Sequence, residues 1–295
     1  GLNMAYDDIF GVHYVTSPDI VKGNYSLTTD VVGAGNIDWD PEKDSYSLGE
    51  DVHLIAQPNE IDTDFGYWKF NNREDINTDS DMWINMINDT DITAVFGEKI
   101  FTDYFDRSTL GDNDWKLWGE NPDLEDLSIE NGELEMKITD TNSEGNYVQS
   151  IAIPPMTKSA TELPSSYLIK GDFKLVSEEG AYGIYLGMDA PENDIFKFYT
   201  LKINETAGTF NLLSSEGSIA NGSISDIVKK GEFNNISVKR IDDQYSFYLN
   251  GELLTIQELD SSIIEMIATE NFSWEGVSLP SEIRVNNVEL LDLPQ

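Results

Sequence analysis

The chain has 295 residues, 39% hydrophobic and 11% aromatic, enough to bury a core and to exclude a disordered chain. Eighteen basic residues stand against 55 acidic ones, and a net charge of −37 repels nucleic acid and anionic membrane surfaces. Cysteine is absent, which excludes disulfide scaffolds, thiol catalysis and thiolate metal sites, and no apolar run reaches the roughly 18 residues of a membrane-spanning helix, so no membrane insertion is expected.

The chain opens on Gly1 without a basic-then-apolar leader. Export is nevertheless the expectation, because a cysteine-free chain avoids mispaired thiols outside the cell. Turn signals recur every ten or so residues, and long segments of helical period are missing, which predicts an all-β protein. The best helix candidate is the short "SSIIEMIAT" at 261–269.

Residues 1–23 form an N-terminal extension without a readable motif. Strands are then predicted at Tyr25–Val32, Asn36–Trp39 and Asp51–Gln57, followed by "GYWKF". "MWINMINDTDITAVFGE" predicts a hairpin in which Trp83–Ile87 and Ile92–Phe96 flank a polar turn at Asn88-Asp89-Thr90-Asp91. Four motifs in this stretch, Val31-Val32-Gly33-Ala34-Gly35, Ala56-Gln57-Pro58-Asn59, Phe65-Gly66-Tyr67-Trp68 and Asp89-Thr90-Asp91-Ile92-Thr93-Ala94-Val95-Phe96, occur in the order found in internalin-type B-repeats of bacterial surface proteins. Residues 24–99 thus resemble a divergent B-repeat, which implies a small β-grasp-like module with a spacer or adhesion role. A single copy is present rather than the usual tandem array.

The remainder, 100–295, reads as one longer unit. "LSIENGELEMKI" predicts a hairpin about Asn131-Gly132, and "QYSFYLNGELL" predicts another about Asn250-Gly251. Both suit a type I′ turn, in which the two central residues take positive φ. Phe101/Asp103/Phe105, Trp115, Glu130-Asn131-Gly132-Glu133-Leu134 and Phe247-Tyr248-Leu249-Asn250-Gly251 resemble the signature of concanavalin-like and laminin-G-like domains. The resemblance implies a two-sheet jelly-roll sandwich, a fold that carries lectins, glycosidases and adhesion modules alike. The closing strand has Asn286-Asn287 where relatives often have an Asp, which weakens any metal reading there.

The candidate chemistry is sparse. His13 and His53 have no partners at triad or zinc spacing, and His53 reads as a strand residue in "DVHLIAQ". Sandwich hydrolases place three acids along one strand; Glu133 and Glu135 share a face here, but position 138 is Ile138 and the third acid is missing. Asp75, Asn77, Asp79 and Asp81 begin like an EF-hand loop, which fails at Ser80 and Met86. Acidic loops on the sandwich rim, Asp106/Asp112/Asp114 foremost and Asp189/Glu192/Asp194 after them, are candidate calcium sites.

Alternation in "GAYGIYLGMD" places Tyr182, Ile184 and Leu186 on one face and Tyr185, between Gly183 and Gly187, on the other. The same reasoning puts Phe198, Lys239 and Tyr248 outward. Tyr185, Phe198, Lys239 and Tyr248 are therefore expected to line one ligand-binding sheet face, with the glycines leaving a groove. The expected function is non-catalytic binding of a polysaccharide or cell-surface glycan in an adhesin-like role, at the cell surface, in the periplasm or outside the cell. The alternatives are a structural module that contacts an extracellular protein, and a glycoside hydrolase on the same sandwich.

Overall fold

A computed structural model describes residues 3–7, 12–16, 24–71, 73–111, 114–118, 125–139, 148–154, 163–187, 197–261, 264, 266–273 and 279–294. The described residues form strands and turns without an α-helix, so the all-β expectation holds. β1 (Asn3–Asp7) and β2 (Val12–Thr16) pair antiparallel ahead of the rest. The next seven strands are β3 (Leu27–Val32), β4 (Gly35–Asp40), β5 (Glu50–Pro58), β6 (Thr63–Phe70), β7 (Ile76–Asn77), β8 (Asp81–Met86) and β9 (Thr90–Asp103).

β4, β5 and β8 make a three-stranded sheet, while β9 takes β3 in parallel on one side and β6 antiparallel on the other. Between the two layers lie Leu54, Trp68, Met82, Ile92, Ala94 and Phe96. The glycines of the Val31–Gly35 motif have a physical reason. A Cβ on Gly33 would stand 2.4 Å from the Phe96 carbonyl oxygen, and one on Gly35 would enter the Phe96 ring. Both edges of β9 are occupied, so the hairpin predicted between Trp83–Ile87 and Ile92–Phe96 does not form. β8 pairs with β5 instead, and the intervening turn is tied down by the Ser26 N–H and hydroxyl donating to Asp89.

The sandwich holds β10 (Lys116–Trp118), β11 (Glu125–Glu130), β12 (Glu133–Ile138), β13 (Val148–Ile153), β14 (Ser166–Leu175), β15 (Ala181–Gly187), β16 (Phe198–Asn204) and β17 (Thr209–Ser214). It is completed by β18 (Gly217–Ser223), β19 (Asn234–Ile241), β20 (Gln244–Leu249), β21 (Glu252–Glu258), β22 (Met266–Ser273) and β23 (Ser281–Asp292). One sheet has seven strands in the order β10-β13-β22-β15-β16-β17-β18. The other runs β21-β20-β19-β14-β23 and continues through β9 into β6 and β7, so one sheet serves both the sandwich and the smaller module. Asn131-Gly132 and Asn250-Gly251 all have positive φ, as type I′ turns require.

Between the sheets lie Phe173, Tyr182, Ile184, Leu201, Ile236, Phe247, Ile283 and Val285, nearly all fully buried. Over the described residues the segment predicted as a helix is a strand instead: Met266–Ser273 is β22, paired with both β13 and β15. A run such as "IIEMIA" has apolar residues at either period, and the vacant central position in this sheet selects the strand.

Candidate functional site

Three adjacent strands of the seven-stranded sheet build the candidate site on their outer face. Tyr182, Ile184 and Leu186 of β15, Leu201 and Ile203 of β16 and Ile267 of β22 enter the core. Alternation then turns Gly183, Tyr185 and Gly187, Phe198, Thr200 and Lys202, and Ala268, Glu270 and Phe272 outward. Register sets these into rows. Gly183 lies between Glu270 and Lys202, and Tyr185 lies between Ala268 and Thr200. Asn211 extends the Glu270–Gly183–Lys202 row across β17.

The face has a buried floor and a half-buried rim. Glu270 is 0% exposed, and Tyr185 and Thr200 are each 2% exposed, whereas Phe198 and Lys202 are only partly covered. A buried carboxylate needs partners, and the Thr200 hydroxyl sits against the Glu270 Oε2 and 3.2 Å from the Ile184 carbonyl. The Lys202 Nζ lies 4.9 Å from the centroid of the Phe272 ring. Burial pulls the Lys202 ammonium below the usual lysine range, and the Glu270 charge partly restores it. Burial also pushes the Tyr185 phenol up, and the same charge adds to the rise. Tyr185 stacks on Phe198 at 5.7 Å and 25°. Both glycines of β15 are needed, for different reasons. A Cβ on Gly183 would collide with the Leu201 carbonyl at 1.8 Å, and one on Gly187 would meet the Tyr185 hydroxyl at 2.5 Å and its ring at 2.6 Å. The space over Gly187, expected to stay open as part of a groove, is therefore filled by Tyr185 itself.

The single face expected from the sequence is two faces. Tyr185 and Phe198 belong to the seven-stranded sheet, but Lys239 and Tyr248 lie on β19 and β20 of the other sheet. There the smaller module folds back over them. Tyr248 is 1% exposed in a cluster with Tyr67, Ile76, Val95, Leu168 and Leu293, and burial pushes its phenol up to about 12. The Lys239 Nζ stands 5.2 Å from the Tyr67 ring centroid and 5.6 Å from that of Tyr248. Alternation finds which residues leave the core, but it carries no information about what covers them.

Of the candidate calcium ligands, Asp106 and Asp114 lie among the described residues. The Asp114 carboxylate takes both the Nε and the Nη2 of Arg107, and Asp106 is exposed. Asp112 lies outside the described residues, as do Asp189, Glu192 and Asp194. No group of three or more His, Asp or Glu residues is placed to hold a metal ion among the described residues. In the segment resembling an EF-hand, Asp75 accepts from the Leu253 N–H and Asp81 lies against His53. Glu133 and Glu135 do share a face, but that face is not a solvated one. Arg284 reaches both, at 3.1 and 3.3 Å, and Lys137 reaches Glu135 at 2.6 Å. The carboxylate that reasoning from sequence missed is Glu270. It adjoins the 261–269 segment, whose pattern suits a helix, and it is not one of three acids spaced along a strand.

No family model matches the chain, so the internalin-type resemblance of residues 24–99 finds no family match, and no curated protein matches either. Solved structures do share the fold. The catalytic domain of an endo-1,3-β-glucanase (laminarinase) from Thermotoga petrophila superposes with a TM-score of 0.52 at 12% identity, covering 68% of this chain and 99% of that one. The laminarinase catalytic domain from Thermotoga maritima gives 0.52 at 11% identity, covering 68% and 99%. An endo-β-1,3-glucanase from Pyrococcus furiosus gives 0.50 at 13% identity, covering 68% and 96%. At such identities the likeness establishes a shared sandwich. It also corrects the expectation that this chain is not an enzyme: the same sandwich serves as the catalytic domain of those glucanases.

Proposed function

We propose that the chain acts on or binds carbohydrate, with the saccharide lying against the outer face of the seven-stranded sheet. The observation that carries this reading is the convergence, on one face, of a polar row and an aromatic pair: Glu270–Gly183–Lys202–Asn211 beside Tyr185–Phe198. A saccharide offers C–H faces to aromatic rings and hydroxyls to charged and amide groups, and binding faces built for it combine both. The ligand meets the half-buried rim at Phe198 and Lys202, with Glu270 and Tyr185 beneath. Secretion and a role at the cell surface belong to the same reading, supported by the absence of cysteine.

Glu270 favours a second reading within the first. Glycoside hydrolysis uses two carboxyl groups about 5–10 Å apart that flank the scissile bond; Glu270 is a carboxylate on this face, fully buried against Thr200, and takes such a role only where the chain covering it moves aside for the sugar. The test is a glycan array followed by a reducing-end assay on every glycan retained. Retention of a neutral glycan by the wild type is the expected outcome. Turnover that Glu270→Gln abolishes while retention survives assigns Glu270 a catalytic role; retention without turnover leaves it a binding role. An array without a single retained glycan overturns the reading.

A further inference from the structure

A second aromatic surface lies on the smaller module, on residues that the sheet-face site does not use. Trp83 is 66% exposed on β8, the edge strand of the three-stranded sheet. An exposed apolar side chain is ordinary by itself, but this one is held in place. It pairs across the sheet with His53, and the two rings stack 4.4 Å apart at an interplanar angle of 5°. The His53 Nε2 lies 2.6 Å from Asp81 Oδ1, which fixes the imidazole and with it the indole. One face of the indole is therefore supported before any ligand arrives, which lowers the entropic cost of binding.

Beside Trp83, a cleft of about 560 Å³ separates β8 from the tip of the β20–β21 hairpin. Asn85, Asp75, Arg73 and Glu252 line it with hydrogen-bonding groups, and the Arg73 guanidinium carbon stands 3.8 Å from the centroid of the Phe70 ring. Asp40, opposite His53, and Asp51, which accepts from Asn85 at 2.7 Å, add negative charge to the rim. That charge disfavours anionic partners, while carboxylates and amides suit the hydroxyls of a neutral sugar.

We infer that Trp83 is the platform of a second saccharide site, taking a neutral hexopyranose unit of a chain whose other units lie elsewhere. The inference rests on the carbohydrate reading for its ligand class, but on separate residues for its place. Two sites on one chain, on units joined through a shared sheet, favour a long polymer over short oligomers by raising the local concentration at the second site.

The experiment is affinity electrophoresis through gels containing neutral β-glucan, galactan or mannan, with wild type, Trp83→Ala, Trp83→Phe and Lys202→Met. Trp83→Ala is expected to weaken retention about five- to tenfold, Trp83→Phe to recover most of it, and intrinsic fluorescence to shift on binding in the wild type but not in either Trp83 variant. Loss of retention in Lys202→Met with none in Trp83→Ala overturns this inference and leaves the sheet-face site standing. The reverse result supports it and overturns the sheet-face site. Retention of no polysaccharide, or a Trp83-dependent affinity for a lysine- and arginine-rich peptide instead of sugar, overturns it as well. Urea unfolding of each variant checks that the fold is kept.

Discussion

Asp103 shows how one side chain can specify the start of a domain. Its carboxylate accepts from the Phe105 N–H at 2.8 Å, the Trp115 indole N–H at 2.8 Å and the Arg107 guanidinium at 2.7 and 2.8 Å. This network holds Phe105 at a φ of +53° and fixes Trp115 as a core residue. Burial opposes ionisation of Asp103, but the Arg107 guanidinium and the two N–H donors outweigh it and hold the carboxyl below the usual range. Asp103→Asn is expected to cost about 2–3 kcal/mol at neutral pH, read from urea unfolding. A depressed carboxyl contributes stability above its unfolded value, here 3.8, and loses it as pH falls through the folded value. The gap between wild type and Asp103→Asn should thus hold from pH 7 to about pH 4 and close in stronger acid. The Phe-x-Asp-x-Phe motif was legible as a signature. Its cause was not, because Arg107 and Trp115 join Asp103 only through the folded turn.

At the scale of elements, period-two alternation was a sound guide and adjacency was not. β15, β16 and β20 were read with the correct residues inward, and both Asn-Gly turns fold as expected. β8 and β9 are consecutive yet lie in different sheets, because β9 spends both edges on β3 and β6. The Asn250-Gly251 hairpin does more than reverse the chain. The Ile76 N–H donates to the Gly251 carbonyl at 3.0 Å, and a Cβ on Gly251 would stand 2.2 Å from the Ile76 oxygen. Gly251→Ala combines this collision with a φ of +85°, so a loss of about 2–3 kcal/mol is expected. Limited proteolysis is expected to cut residues 71–80 faster in that variant. A stability and cutting rate equal to those of the wild type would mean the hairpin tip does not hold the module.

At the scale of the whole molecule, β9 makes the module and the sandwich parts of one sheet, and a buried ion pair seals them. Lys170 of β14 donates to the Phe65 carbonyl of the module at 2.9 Å and lies 3.1 Å from Glu289 of β23. Burial raises the Glu289 carboxyl, and Lys170 pulls against that rise. Lys170→Met leaves the carboxylate buried without its counter-charge, for an expected loss of about 3–5 kcal/mol at neutral pH. A raised carboxyl favours the folded state below its unfolded value and loses that advantage as pH rises through the folded one. Lys170→Met should therefore approach the wild type near pH 4 and fall furthest below it at pH 7 and above. This packing also explains why Tyr248, outward by alternation, is closed to a large ligand and why Lys239 beside it is partly covered. The module that covers them is distant in sequence, and no local pattern announces the contact.

The central claim, a saccharide on the outer face of the seven-stranded sheet, separates those two faces. The direct measurement is isothermal titration of the glycan retained most strongly, using wild type, Lys202→Met and Lys239→Met. Lys202→Met should bind about ten- to a hundredfold more weakly, the worth of a charge-assisted hydrogen bond, and Lys239→Met should bind like the wild type. Equal affinity in all three proteins, or a loss confined to Lys239→Met, would contradict the claim.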